Sequence, residues 1–379
     1  MRRTAVPVTV VVTLLCAWTA AGQPASLETI RMQVRAGQYE RAWLALQDLA
    51  PTPDTLRLEV EVSAHLGKID RAIESYGRLT AITGQADPAA LGAVSRAILD
   101  EEQRAADPLT RAESCRALLR AGVTPCRAVL QAGARDQAWP RLARLVAAAA
   151  LAESNPSDAR LLTEITGSLK GPDLAEVAAI IPDLPAAVAQ PILNQFVASP
   201  LPELQCQGAM LLADFDTSAS RQALKVLASG TGLARSAARF SLAQLGDPDQ
   251  LRAVAAALPR LERADLYRAG RALAAAGDDR GIHALEDVIA GNDPALRLDA
   301  AAALARWSKE RAQRVIEDAL TDPAPHIRAR ALALIARFGW SPYGPVSRLL
   351  TDQNPVVRVR AAGICVRRAD AAAPQGNGR

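Results

Sequence analysis

AARFSLAQLGDP, residues 237–248, is answered by RAGRALAAAGDD, residues 268–279, and the two lines match at a step of 31 residues. Outward from that pair the step holds. Leu211, Leu242, Leu273, Leu304, Ile335 and Val366 stand 31 apart. So do Ala238, Ala269, Ala300, Ala331 and Ala362, and also Leu227, Leu258, Ile289 and Leu320. A period of this length, with large apolar and small residues each keeping their place, marks a solenoid of helical repeats.

Composition agrees. Half of the 379 residues are apolar but only 3% are aromatic, so the filling is Ala, Leu and Val. Ala and Leu favour helix, and Ala lets helices approach closely. No alternating β-branched or aromatic pattern recurs. The expected class is all-α, an α-solenoid of stacked antiparallel helix pairs. The formal charge of +4 is small for this length, and it lacks the basic excess of a nucleic-acid binder.

Residues 1–22 carry Arg2 and Arg3, an apolar run from Ala5 to Ala21, and small residues at the end. This is the layout of a secretory signal peptide, with an uncleaved anchor as the alternative. Cys16 is preceded by Leu14-Leu15, which does not suit a lipoprotein site. The expected location is therefore periplasmic or secreted, with no membrane span after cleavage.

Residues 23–100 hold a second repeat. Gly37-Gln38-Tyr39-Glu40-Arg41-Ala42 returns 30 residues later as Gly67-Lys68-Ile69-Asp70-Arg71-Ala72. Each Gly should close a helix, with Ala42 and Ala72 at helix crossings and Leu46 and Tyr76 one turn on. Residues 101–178 read as degenerate helical units, residues 179–370 as the clear array, and residues 371–379 as a disordered tail. In the array Gly246 and Gly277 end helices, and Asp247-Pro248 starts the next. Asp293-Pro294, Asp322-Pro323 and Asn354-Pro355 should restart the pattern in the same way. Stepping back by 31 from the array reaches Ile180.

These residues carry two resemblances. The Gly37 and Gly67 segments resemble tetratricopeptide repeats, without that family's leading tryptophan. Ala238 through Pro248, with Leu251 and Val254, resembles the short HEAT-like repeats first associated with phycobilin lyases. Pro323 to Arg328 and Pro355 to Arg360 match that family's aliphatic-Arg pair at the start of a first helix. Leu298-Asp299 departs from it, and the resemblance implies a broken arginine ladder there. Such repeats serve enzymes, adaptors and scaffolds alike.

Chemistry-bearing residues are sparse. The hydroxylase type of this family binds metal through His-Glu pairs, and no such dipeptide occurs. His283 and Glu286 share a helix face, but one pair supplies too few metal ligands and reads as a wet surface. His65 is expected at a helix end. No phosphate loop or nucleophile elbow is present. Cys115 and Cys126 flank a turn and are candidates for a disulfide in an exported chain, the rival being two small buried residues. Cys206 and Cys365 read as core. Arg328, Arg330, Trp340, Tyr343 and Arg360 are a candidate partner patch, the rival being an inter-repeat ladder.

The expectation is a non-enzymatic scaffold without metal or cofactor, presenting its second helices along a concave face to another protein or peptide of the cell envelope, with no nucleic acid. A HEAT-like lyase or hydroxylase is the alternative, and a nucleic-acid-binding array a further one.

Overall fold

The computed structural model describes residues 26–340 and 343–372. The expected leader with Cys16, and residues 373–379 of the expected tail, lie outside them. Among the described residues all regular structure is helical, and helices pack on their neighbours in chain order. The protein is an α-solenoid. It divides into two compact units, residues 1–97 and 98–379.

In the first unit α1 (Leu27–Arg35) pairs with α2 (Tyr39–Leu46), and α3 (Pro53–His65) with α4 (Ile69–Thr83). α5 (Pro88–Glu102) follows, and the boundary between the units falls inside it. Gly37 and Gly67 follow α1 and α3 with φ of 70° and 67°. L side chains resist that conformation, so glycine ends both helices there. Ala42 and Ala72 are fully buried at the crossings, with Leu46 and Tyr76 buried beside them. The Thr52 hydroxyl accepts the Thr55 N–H while the Thr55 side chain accepts the Thr52 N–H, which closes the start of α3.

The second unit begins with α6 (Pro108–Arg120), α7 (Cys126–Arg135), α8 (Arg141–Ser154) and α9 (Ala159–Gly167). Next come α10 (Ala186–Val197), α11 (Pro202–Leu212), α12 (Ser218–Ser229), α13 (Gly232–Gln244) and α14 (Pro248–Ala257). The rest is α15 (Arg263–Ala275), α16 (Asp279–Ile289), α17 (Pro294–Leu304) and α18 (Lys309–Asp318), then α19 (Pro325–Phe338), α20 (Tyr343–Arg348) and α21 (Pro355–Ala372). The Ala238 series is fully buried at all five positions. Leu242, Leu273, Leu304, Ile335 and Val366 are buried as well, whereas Leu211 is only partly covered and its neighbour Leu212 fills the core. One step further back, Ile180 is buried. Its segment, Gly171–Ala179 and Ile181–Asp183, winds as 3-10 helix rather than α-helix. Pro172 and Pro182 remove two N–H donors there.

The helix starts refine the arginine pattern. Asp247 and Asp293 cap α14 and α17, each side chain accepting two backbone N–H groups. The expectation for Asp322-Pro323 needs correction: α19 starts two residues later, at Pro325, because the second proline takes the first-turn position. Counted from the helix-starting proline, the third residue onward is Arg297, Arg328 and Arg358. Arg328 donates to the Asp322 carbonyl and Arg358 to the Asp352 carbonyl, both at 2.8 Å. Arg297 donates to the Ile289 carbonyl at 3.0 Å. The ladder is therefore not broken at Asp299. That residue sits two positions further along and accepts an ion pair from Arg330 of the next first helix. The same device appears earlier: Arg111, three after Pro108, donates to the Ala105 carbonyl, and Gln205, three after Pro202, donates to the Ser199 carbonyl at 2.8 Å.

The second unit returns to its own beginning. α21 packs along α6. A Cβ added to Gly363 would lie 2.9 Å from the Ala117 methyl, so the two helices meet at glycine distance. Arg358 donates to Glu102 at 2.5 Å, and Arg360 is ion-paired with Glu113.

Candidate functional site

Where α21 meets α6, the first helices α6, α8, α19 and α21 surround a cavity of about 760 Å³. This is the size of a pocket for a small organic ligand. The lining comes from the first helix of each pair, not from the second helices expected to form the concave face. First helices carry the buried Ala series and pack against the first helices of both adjacent pairs, so they occupy the inner layer.

The walls divide by chemistry. Leu142, Val146, Ile180, Leu332, Val356 and Ile364 supply apolar surface. Five arginines line the same space, Arg116, Arg120, Arg337, Arg360 and Arg367, against three carboxylates, Glu113, Glu153 and Asp183. Arg116 is buried and spans Glu153 and Asp183, the latter at 2.6 Å. Arg120 reaches Glu153 at 2.6 Å, and Arg360 takes Glu113. Burial alone would push the Glu113 carboxyl up, but the guanidiniums of Arg360 and Arg116 outweigh it and hold it below its ordinary value. Arg367 is different. Burial, then the neighbouring Arg120 and Arg116 charges, push its guanidinium down, with only Asp183 opposing. It makes no hydrogen bond or ion pair among the described residues.

The candidate partner patch is spread out. Arg328 is bound bidentately to Asp352, both contacts 2.7 Å, and Arg330 is paired with Asp299. Trp340 is buried and stacked on Phe338. Tyr343 opens α20. Of Arg328, Arg330, Trp340 and Arg360, the last alone lines the cavity. The three arginines are thus spent on contacts within the chain, and the cavity residues Arg116 and Arg120 carry no mark in the sequence pattern, whereas Arg337 and Arg367 belong to the basic run of the last units. Arg337 and Arg367 stand 30 apart in the last two first helices, and that near-repeat is the signal that marks them.

His65 ends α3, its Nδ1 lies 2.9 Å from the Glu61 carbonyl, and its ring stacks on Tyr39. His283 is exposed and its Nδ1 lies 3.6 Å from Glu286, which also faces Arg311. Among the described residues no group of three His, Cys, Asp or Glu side chains is arranged to hold a metal ion. Cys115 and Cys126 are both buried free thiols, and they lie close enough for each to set the other's ionisation. The Cys126 thiol donates to the Gln103 side-chain oxygen at 3.5 Å; interaction between the two thiols, then burial, pushes Cys115 up. Cys206 and Cys365 are buried. No described helix is long and apolar enough to cross a membrane.

No family model matches the chain, and the comparison with curated proteins gave no match. Among solved structures, the crystal structure of an engineered protein from the Northeast Structural Genomics Consortium aligns over 92% of each chain at 16% identity, with a TM-score of 0.23. A likeness that slight bears on neither fold nor function.

Proposed function

We propose that the chain is an exported, non-enzymatic adaptor built from tetratricopeptide-like units followed by HEAT-like units of the phycobilin-lyase type, and that it binds another protein or peptide in the cell envelope. The observation that carries this reading is the pairing of charge around the cavity of the second unit. Glu113, Glu153 and Asp183 each face a guanidinium, which suits recognition and rigidity better than proton transfer. The arginines of the last repeats are largely committed to internal partners, which disfavours a nucleic-acid backbone as the object. Export rests on residues 1–22 as a sequence.

Proximity labelling from the C-terminus in the native host, with the compartment determined in the same cells, tests the proposal. One or two enriched envelope proteins, recovered again with purified chain, are expected. A cytoplasmic labelling pattern overturns the export half, and envelope labelling with no protein enriched over a secreted control overturns the adaptor half.

A further inference from the structure

We propose that the cavity between α6, α8, α19 and α21 is a binding site for a small organic phosphate monoester, its doubly charged head held by Arg367 and Arg337 and its apolar body lying against Leu142, Val146 and Leu332. This goes beyond the adaptor reading and does not depend on it.

The charge count comes first. Five arginines and three carboxylates line one open cavity, leaving two positive charges in excess. The carboxylates are committed: Glu153 and Asp183 to Arg116 and Arg120, Glu113 to Arg360. Arg367 and Arg337 make no hydrogen bond or ion pair among the described residues, and both line the cavity from adjacent first helices. A phosphate monoester carries about −1.5 to −2 charges near neutrality, which matches the excess, where a carboxylate carries half of it. Guanidinium forks also fit phosphate oxygens in pairs.

Burial adds a second argument. Arg367 is partly covered and sits beside Arg116 and Arg120, so its charge is disfavoured where the fold has put it. An uncompensated cation held against like charges destabilises the fold unless something offsets it. A bound dianion would supply that offset, and would also bridge α21 to α19 through Arg367 and Arg337.

The shape of the cavity favours an ester over the bare ion. About 760 Å³ is far more than a bare phosphate needs, and the remainder is walled by aliphatic side chains. Inorganic phosphate would leave that wall wet.

The test uses the purified full chain, n-octyl phosphate below its micellar range, octanoate, and inorganic phosphate, read by calorimetry and by thermal melting. Octyl phosphate is expected to bind at least about tenfold more tightly than either control and to raise the melting temperature. Arg367→Gln is expected to weaken that binding by about tenfold or more, and Arg367→Lys to restore part of it. Since Arg367 has no internal partner, R367Q should keep or raise the melting temperature of the ligand-free protein. A fully folded R367Q that binds octyl phosphate as tightly as the parent overturns the proposal. So does equal binding of octanoate, which removes the need for a dianion, or of inorganic phosphate, which removes the need for the apolar wall. A second variant, Arg337→Gln, is expected to weaken binding in the same direction, and its silence would likewise count against the site.

Discussion

Arg360 on the last helix of the second unit is ion-paired with Glu113 on its first, across 247 positions of sequence. Solenoids ordinarily place their ends apart, each repeat touching only its neighbours. Here the end repeat is covered by the beginning repeat. The faces that would otherwise need a polar cap are Gly363 against Ala117 and the arginines of α21 against Glu102 and Glu113.

Glu113→Gln should therefore weaken the closure. Glu113 is buried and its carboxyl is held below its ordinary value of 4.5. A depressed folded value means that the ionised carboxylate stabilises the fold above about pH 4.5, and that this is lost as pH falls through the lower, folded value. E113Q should be less stable than the parent by about 2–4 kcal/mol at pH 7, because it leaves Arg360 and Arg116 facing an uncharged amide. Below pH 4 the gap should narrow. Urea unfolding midpoints at both pH values decide it, and a gap that is constant with pH would sink the argument.

Gly363→Val probes the same seam without charge. The first added carbon would already meet the Ala117 methyl at 2.9 Å, closer than side-chain carbons ordinarily approach, so α21 must shift from α6 to admit it. Overpacking of this kind costs about 1–3 kcal/mol. Pairing it with Ala117→Gly should recover part of the loss. If the double variant melts no higher than G363V alone, the two helices do not meet at that pair.

The repeat was legible because packing enforces it: Ala238, Ala269, Ala300, Ala331 and Ala362 are each buried at a helix crossing, so the period is written in residue size. The closure was not legible. Gly363 and Ala117 belong to no shared register, and nothing in the spacing of Glu113 announces that its partner is Arg360. The ladder was half legible. Taking Pro323 rather than Pro325 as the helix start shifts the frame by two, and Asp299 then reads as a gap that Arg297 in fact fills. At Gly171–Asp183 apolar periodicity persisted while the backbone changed to 3-10 form, because burial of Leu174, Val177 and Ile181 constrains side chains more than it constrains hydrogen bonds. The cavity escaped notice for a related reason, since its arginines are gathered from both ends of the unit.

Arg328→Lys tests the ladder. Arg328 grips Asp352 with two nitrogens at 2.7 Å and still reaches the Asp322 carbonyl at 2.8 Å. An ammonium cannot span that set. R328K should lose about 1–3 kcal/mol, and Arg328→Ala should lose more because Asp352 keeps only the Asn354 N–H as a hydrogen-bond donor. Arg252, whose pairing with Asp249 is exposed, provides the comparison: R252K should change stability by less than about 0.5 kcal/mol. Equal effects at the two positions would show that the ladder is ordinary surface pairing.

Cys115 on α6 and Cys126 at the start of α7 already influence one another's ionisation, and both are buried at the hairpin that opens the second unit. A thiolate at either position can attack oxidised glutathione, and the neighbouring cysteine then displaces glutathione from the mixed disulfide. Incubation with oxidised glutathione should give a mass lower by the two thiol hydrogens, with a peptide map joining the two cysteines. The bond closes a short loop, so the chain-entropy model puts its contribution near 3 kcal/mol, seen as a higher melting temperature that a reductant reverses. Cys206 and Cys365, each packed elsewhere in the core, should stay reduced. Cys115→Ser should abolish both the mass change and the reductant-sensitive step. Four titratable thiols after oxidation would mean instead that the two side chains serve only as small buried packing, and that the hairpin does not open far enough for exchange.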